Sequence, residues 1–452
     1  MRVMVVGSGG REHAVVWRLR QSPNVTEVVC APGNPGIARL ATCVDVPPHA
    51  VEKLADLAVV QRVDLTIATA EECLENGIVD YFNTRRQRIF GPTSAAARLA
   101  FSRYFAKELM LKHKIPTARY AAFDREDLAR AYVDSRKPPI VIKPDGPSRG
   151  LGVTIAQSQH EAHQALTELF SGRFGRSGQT VIVEEHLDGQ EVSLEVVCDG
   201  SRAVMMLPVH VHRHRLDEDH GPITPGTGAY APLSGVSDKV IEAVVTRITD
   251  PLIAALQNSG TPYRGVLNFN LSIDHNDQPR VLSIGPMLSE VGSQVLMPLL
   301  DEDLFEIFWA VTEGNLAHFL DSGFKFSPYC CLAIVMCQQD YPQTERTGAR
   351  IYGLDGLEAS NVLRVEKQVV EEAKPITINV RPFVFHEGTA KPANTVNTGG
   401  EPWLETASGR VLTLAVLAES LLDAKVAAYE LARKVEFDGI QYRRDIGDRG
   451  LG

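Results

Sequence analysis

The sequence predicts a mixed protein, α/β and α+β: a doubly wound parallel sheet at the N-terminus, α+β subdomains in the middle and a C-terminal closing subdomain. Three observations carry that expectation. Short β-branched runs alternate with helical periodicity over roughly the first 100 residues, which is the pattern of a parallel sheet with helices on its faces. Smaller β-branched runs separated by turns follow from Pro139 onward, as in antiparallel sheets. A length of 452 residues, at about 100–200 per domain, calls for several cores.

The first strand is Val3 to Val6; Gly7-Ser8-Gly9-Gly10 then turns the chain into a helix over Glu12 to Arg20, where Val15, Val16 and Leu19 recur at helical spacing. Glu27 to Ala31 is a second strand ending at Pro32-Gly33-Asn34-Pro35-Gly36. The helical stretch Ala50 to Arg62 precedes a third strand, Leu65 to Ala68, and one long helix is expected from Ala95 to His113. Lys114-Ile115-Pro116-Thr117 reads as a linker, because proline biases its predecessor away from helix. Ile140 to Lys143, Val153 to Ala156, Val181 to Glu184 and Val192 to Cys198 are expected to form one small antiparallel sheet around a helix at Gln159 to Ser171. Further strands (Ala203 to Val211, Gly265 to Ile273, Arg280 to Ile284) and helices (Lys239 to Asn258, Asp301 to Glu313) build a larger body. Strands at Leu332 to Cys337, Ile376 to Val380 and Arg410 to Val416 precede a last helix, Leu421 to Val435. The expected division is 1–103, a linker at 104–120, then 121–192, 193–326 and 327–452.

Composition limits the functions open to such a chain. With 44% apolar and 23% charged residues it is ordinary globular protein, not a disordered polymer. Lys+Arg 46 against Asp+Glu 56 leaves a net charge of −10, which opposes nucleic acid and anionic bilayers as partners. A small phosphate ligand then needs a local cradle of backbone N–H groups and a few cations. Seven scattered cysteines suit a reduced, cytoplasmic protein, and the adjacent Cys330 and Cys331 point to opposite faces of a strand, which argues against shared metal ligation. No apolar run long enough to cross a membrane and no export signal is expected.

Gly7 to Gly10 places glycines where a strand becomes a helix, so N–H groups can approach a phosphate closely. The same pattern serves nicotinamide cofactors, but Pro32 to Gly36 occupies the place where a dinucleotide fold usually carries its ribose-binding acid. Ile140-Val141-Ile142-Lys143 followed by Pro144 to Gly152 reads as a strand ending in a lysine before a Gly-rich hairpin, suited to covering phosphates that the ammonium neutralises.

Gly7 to His13, followed by Ala31-Pro32-Gly33-Asn34-Pro35-Gly36, resembles the opening of the glycinamide ribonucleotide synthetase (phosphoribosylamine–glycine ligase) family, ATP-grasp enzymes of purine biosynthesis. Phe90-Gly91-Pro92-Thr93, Phe105-Ala106-Lys107, Ile115-Pro116-Thr117-Ala118, Gly221-Pro222 through Gly228-Ala229-Tyr230 and Arg444-Asp445-Ile446-Gly447 follow in the family's order. The resemblance implies ATP-grasp central subdomains and ligation of glycine to phosphoribosylamine through an acyl phosphate, with ATP and Mg2+ and with small molecules as the only partners of a monomer. It assigns the phosphate-binding lysine to Lys143, with Gly150 and Gly152 in the hairpin, and the second nucleotide cation to Arg103. Glu184, Glu185 and Leu187 become the adenine hinge and Glu191 a ribose contact. Gly9, Gly10, Arg11, Glu12, Asn34 and Gly36 fall near the sugar phosphate, and Glu71 and Asp80 at sugar hydroxyls.

The metal motif departs from the family. Its Glu-Phe-Asn-x-Arg-Phe-Gly-Asp-Pro-Glu reads Ser283-Ile284-Gly285-Pro286-Met287-Leu288-Ser289-Glu290-Val291-Gly292 here, so Ser283 and Gly285 replace the two usual magnesium ligands. Only Glu290 supplies a carboxylate, as candidate metal ligand and catalytic residue, and Asn268 and Asn270 share the adjoining strand face. The family's Asp-His-Lys-Arg is Val211-His212-Arg213-His214. His210, His212 and His214 alternate along one strand, a spacing open to a transition metal, although strand histidines more often serve as hydrogen-bonding residues. These departures leave two other readings: a ligase for another carboxylate or amine, and a non-catalytic nucleotide-binding paralogue.

Overall fold

The structure is a computed structural model that describes residues 1–148, 151–343, 346–358, 362–367, 376–392 and 403–451. Arg2–Gly7, Glu27–Pro32, Thr42–Cys43, Leu65–Ala68 and Ile89–Phe90 form a parallel sheet, with Arg2–Gly7 at its centre. Val3 and Val5 point to one face and Met4 and Val6 to the other, and each set is fully buried in its own core. That is why the strand reads as a continuous apolar run.

The expected helix over residues 95–113 is two helices, Ser94–Phe101 and Arg103–Lys112. Ser102 breaks the run: its backbone is extended and its hydroxyl accepts the Phe105 N–H at 3.1 Å, a helix cap that sequence periodicity does not register. The stretch 104–120 is therefore mostly helix, and it continues through Ile115 and Thr117 to the strand Tyr120–Phe123.

Two four-stranded antiparallel sheets follow. One runs Tyr120–Phe123, Val181–Glu185, Ile140–Pro144, Thr154–Ala156, and the other Ala203–Met205, Gln190–Asp199, Arg264–Ile273, Pro279–Gly285. Val192 to Cys198 thus belongs to the second sheet, where ten residues of Gln190–Asp199 pair with Arg264–Ile273, and Tyr120–Phe123, a strand the sequence reading does not name, completes the first. Strand pairing is a long-range choice that local pattern leaves open.

The C-terminal strands Cys330–Gln338, Ile376–His386 and Arg410–Ala418 extend a sheet begun by His210–His214 and Ile223–Ala231. Helix Gly292–Leu299 is buried along its whole length, wedged between the N-terminal helix Gly10–Leu19 and that sheet. This wedge brings residues 285–290 up against the first Gly-rich turn. All seven cysteines are free thiols, four of them fully buried strand residues or nearly so, and no helix among the described residues is long and apolar enough to cross a membrane.

Candidate functional site

Strands Ile140–Pro144 and Val181–Glu185 run antiparallel, with Val141 opposite Glu184 and Lys143 opposite Ile182. Ile140, Ile142, Val181 and Val183 pack onto the helices Glu126–Asp134 and Gln159–Phe170, so alternation turns Lys143 and Glu184 to the other face. There Lys143 Nζ donates to Glu184 Oε2 at 2.9 Å and to the Leu282 carbonyl at 3.1 Å. Lys107 Nζ lies 3.2 Å from Glu184 Oε1 and donates to Thr117 Oγ1 at 2.7 Å. All three side chains are buried. Burial alone would raise the Glu184 carboxyl, but Lys143 and Lys107 together hold it below its usual range. Burial pulls Lys107 down to about 8 despite the attraction of Glu184.

Lys107 carried no assigned role in the sequence. Its signal was its place on the buried stripe of Arg103–Lys112, beside Ala106 and one turn before Met110. Arg103, by contrast, spends its guanidinium on the hairpin itself, donating to the carbonyls of Pro144 and Gly146 at 2.7 Å each. Its burial lowers its basicity. Geometry thus makes it a clamp on the hairpin backbone. Gly152 abuts the Phe174 ring, and Gly150 lies outside the described residues.

A cavity of 150 Å³ lies between the two four-stranded sheets, lined by Arg103, Lys107, Glu184, Arg213, Asn270 and Ser283 among others. Beside it an 890 Å³ cleft opens at Glu184, Glu185 and His186. Glu185 accepts the Arg119 N–H at 3.0 Å, Leu187 is half-buried, and Glu191 opens Gln190–Asp199 on the same strand face as Ser193.

A second cleft of 570 Å³ adjoins the 150 Å³ cavity, sharing Glu71, Arg213, Asn270 and Gly285 with it and reaching Gly9, Arg11, Glu12, Glu290 and Arg410. Glu12 Oε2 accepts the Gly9 N–H at 2.7 Å, capping helix Gly10–Leu19. Arg11 pairs with Glu12 at 2.8 Å and with Glu290 at 3.1 Å, and Arg410 pairs with Glu387 at 2.6 Å. In this crowded group burial raises Glu12, whereas Arg11 and Arg410 overcome burial to lower Glu290. Burial pushes Glu387 up to about 7.

Glu290, expected as a metal ligand, pairs its carboxylate with the Arg11 guanidinium, which ties the wedge helix to the Gly-rich turn. Gly10, Gly36 and Asn34, expected near the sugar phosphate, and Asp80, expected at sugar hydroxyls, each make close contacts within the chain. Gly10 leaves room for Gln294, whose amide would lie 2.6 Å from a Cβ there, and Gly36 for the rings of His13 and His386. Asn34 donates to the carbonyls of Ser8 and His386 at 2.8 Å and accepts the Ile37 N–H. Asp80 accepts from the Ser94 N–H and hydroxyl at 2.7 Å each, fastening two helices together.

The two positions where the family resemblance places metal ligands, Ser283 and Gly285, carry no charge. Ser193, Asn270 and Ser283 stand side by side across three strands, and Glu195, Asn268 and Gly285 form the neighbouring row. Glu195 is fully buried, accepts the Ser289 N–H at 2.8 Å, and is pushed up to about 7 by burial. A hard divalent cation prefers several anionic oxygens, and hydroxyls with amides do not supply them. The residues present therefore do not fit magnesium. Among the described residues no three His, Cys, Asp or Glu side chains come together as a metal site. The three strand histidines separate: His210 and His212 are buried beside Tyr230, the register shifts before His214, and His214 Nδ1 contacts the Gly221 carbonyl.

Three family models account for most of the sequence. The N, ATP-grasp (A) and C domains of phosphoribosylglycinamide synthetase match residues 1–100, 101–286 and 331–449. The chain belongs to that family. The phosphoribosylamine–glycine ligase of Ralstonia nicotianae is 38% identical over 452 residues, all of both chains, and that of Caldanaerobacter subterraneus is 35% identical over 99% of each. Among solved structures, the phosphoribosylamine–glycine ligase of Thermotoga maritima superposes with a TM-score of 0.78 at 27% identity, over 99% of this chain and 100% of that one. The biotin carboxylase domain of Hydrogenobacter thermophilus 2-oxoglutarate carboxylase shares the fold at a TM-score of 0.69 and 13% identity, over 98% and 91%. An ATP-grasp fold is a nucleotide-binding one, and the family is one of carbon–nitrogen ligases.

Proposed function

We propose that this chain is an ATP-dependent ligase that joins glycine to 5-phosphoribosylamine, giving glycinamide ribonucleotide, ADP and phosphate. The Lys107–Glu184–Lys143 cluster carries the reading: two buried ammonium groups on one carboxylate leave a net positive charge on the wall of a cavity between the two central sheets. Phosphate oxygens entering that cavity find cations already desolvated. Lys143 at the root of the hairpin steadies the phosphates, Arg103 fixes the hairpin backbone, and Glu184 with Glu185 lines the base side. Glycine's carboxylate takes the terminal phosphoryl group as an acyl phosphate, and the amine of phosphoribosylamine then displaces phosphate. The cleft at Gly9, Arg11 and Glu71 receives the sugar phosphate next to the nucleotide cavity, so both reactants meet at the shared residues.

The neutral Ser283 and Gly285 positions favour a second reading, a protein that binds nucleotide without turning it over. Release of ADP and phosphate from ATP, glycine and phosphoribosylamine by the purified chain tests the first reading. The same assay against panels of other carboxylates and amines identifies a related ligase. Binding without release under every condition establishes the second reading, and complementation of a purine-requiring strain checks the result in cells.

A further inference from the structure

The strand wall of the cavity at Asn270 and Ser283 is self-satisfied and uncharged, and Glu71 is the carboxylate that lines the cavity beside it. Asn270 Nδ2 donates to Ser283 Oγ at 2.9 Å and to Asn268 Oδ1 at 3.4 Å, and Asn268 Nδ2 donates to Ser193 Oγ at 2.9 Å. These groups answer one another across the sheet and present no anionic ligand. The one carboxylate in the two rows, Glu195, is held beneath the surface by the Ser289 N–H. Arg213 lies on the strand His210–His214, on the face opposite the buried His210 and His212, and lines both the nucleotide cavity and the adjoining cleft. Among the described residues its guanidinium has no hydrogen-bond or ion-pair partner. A second cation, Arg103, faces the same cavity and feels its charge.

Resting on the nucleotide-binding reading above, we propose that this chain binds a nucleoside triphosphate without a divalent cation, and that Arg213 supplies the positive charge on the terminal phosphate that a metal would otherwise bring. A guanidinium is suited to this: it is always charged, and its planar fork matches two phosphate oxygens at once. Lys107 and Lys143 share one carboxylate, so the pair contributes one net charge, and Arg213 adds another at the junction where the phosphoryl group is to be transferred, which Glu71 also lines. The neutral asparagine and serine rows stand opposite without competing for a cation.

Calorimetric titration of ATP and of ADP into the full chain, once in EDTA and once in excess magnesium, tests this. ATP is expected to bind equally well in both. Arg213→Gln is expected to weaken ATP binding by about ten- to a hundredfold, with little effect on ADP, as loss of a charged hydrogen bond implies. Arg213→Lys, which keeps the charge on a compact head group, guards against misfolding and is expected to retain part of the affinity. ATP binding that requires magnesium overturns the inference and leaves the nucleotide reading intact. Equal ATP affinity in wild type and Arg213→Gln overturns the role of Arg213. Absence of binding by either nucleotide, with or without metal, overturns the inference and the nucleotide reading together.

Discussion

Lys107 with Glu184 and Ser283 with Asn270 line one cavity between the central sheets, and its two walls differ. The wall at Lys143 is a buried ion cluster in which Lys107, Glu184 and Lys143 each depend on the others. The wall at Ser283 is a hydrogen-bonded neutral surface of Ser193, Asn268, Asn270 and Ser283. Removing one member of a buried ion cluster strands the remaining charges in a medium that solvates them poorly, so the cluster resists single substitutions. Cleft residues that carry a ligand's charge have no such hold on the fold. They can be exchanged while the protein continues to fold, and the two walls of one site can therefore diverge in chemistry while their backbone stays in place.

Glu184→Gln is expected to give the largest effect. It leaves two ammonium groups facing each other, at a cost of about 3–5 kcal/mol in denaturant unfolding. A loss below about 1 kcal/mol would show that the charged wall is no more constrained than the neutral one. Lys143→Met is expected to lower ligase turnover by about 10²–10³, equivalent to ~2.7–4 kcal/mol of transition-state stabilisation. ADP release in steady state measures it.

Raising the pH separates the walls without mutation. Lys107 titrates at about 8 in the folded chain, against about 10.4 for an unperturbed lysine. Between those values the folded chain binds fewer protons than the unfolded one, so this group makes stability rise with pH. Across the same interval the cavity loses a positive charge, and ATP affinity is expected to fall through pH 8 while Lys107→Arg keeps it level. Glu195 supplies the opposite sign. Its folded value of about 7 lies above an ordinary carboxylate's 4.3 or so, so its contribution is complete at low pH and is lost as pH rises through 7. Glu195→Gln is expected to flatten that slope in unfolding measurements.

The smallest effect on the fold, and the sharpest on function, is expected from Ser283→Glu combined with Gly285→Asn. Stability is expected to stay within about 1 kcal/mol because both positions are only partly buried and line the cavity wall. Nucleotide binding in turn is expected to become stronger with magnesium, which calorimetry reads directly.

The strand positions of Lys143 and Glu184 are legible in the sequence. Lys143 stood at the end of an apolar strand before a Gly-rich turn, and Glu184 in a second such strand; alternation puts both on one face. Lys107 was present in the sequence but hidden, because a lysine inside a helix is usually a solvated one and only its buried stripe says otherwise. Glu290, Asn34 and Asp80 are site candidates through the family resemblance, and the sequence does not show what each bonds within the chain. Their partners, Arg11, the Ser8 and His386 carbonyls, and Ser94, lie 279, 26, 352 and 14 positions away, and no local pattern names them.

By itself the sequence determined the parallel N-terminal sheet, the strand–hairpin root at Lys143, the loss of the two metal-ligand side chains and the family. Each of these is written in side-chain identity or in short-range periodicity, which act over a few residues. Only the tertiary structure decided that Gln190–Asp199 joins the second central sheet, that Glu290 neutralises Arg11, and that Arg213, without a side-chain partner among the described residues, stands between the inter-sheet cavity and the adjoining cleft. Those outcomes depend on which distant strands pair and on where a buried charge finds its counter-charge, and both are settled by packing the whole chain at once.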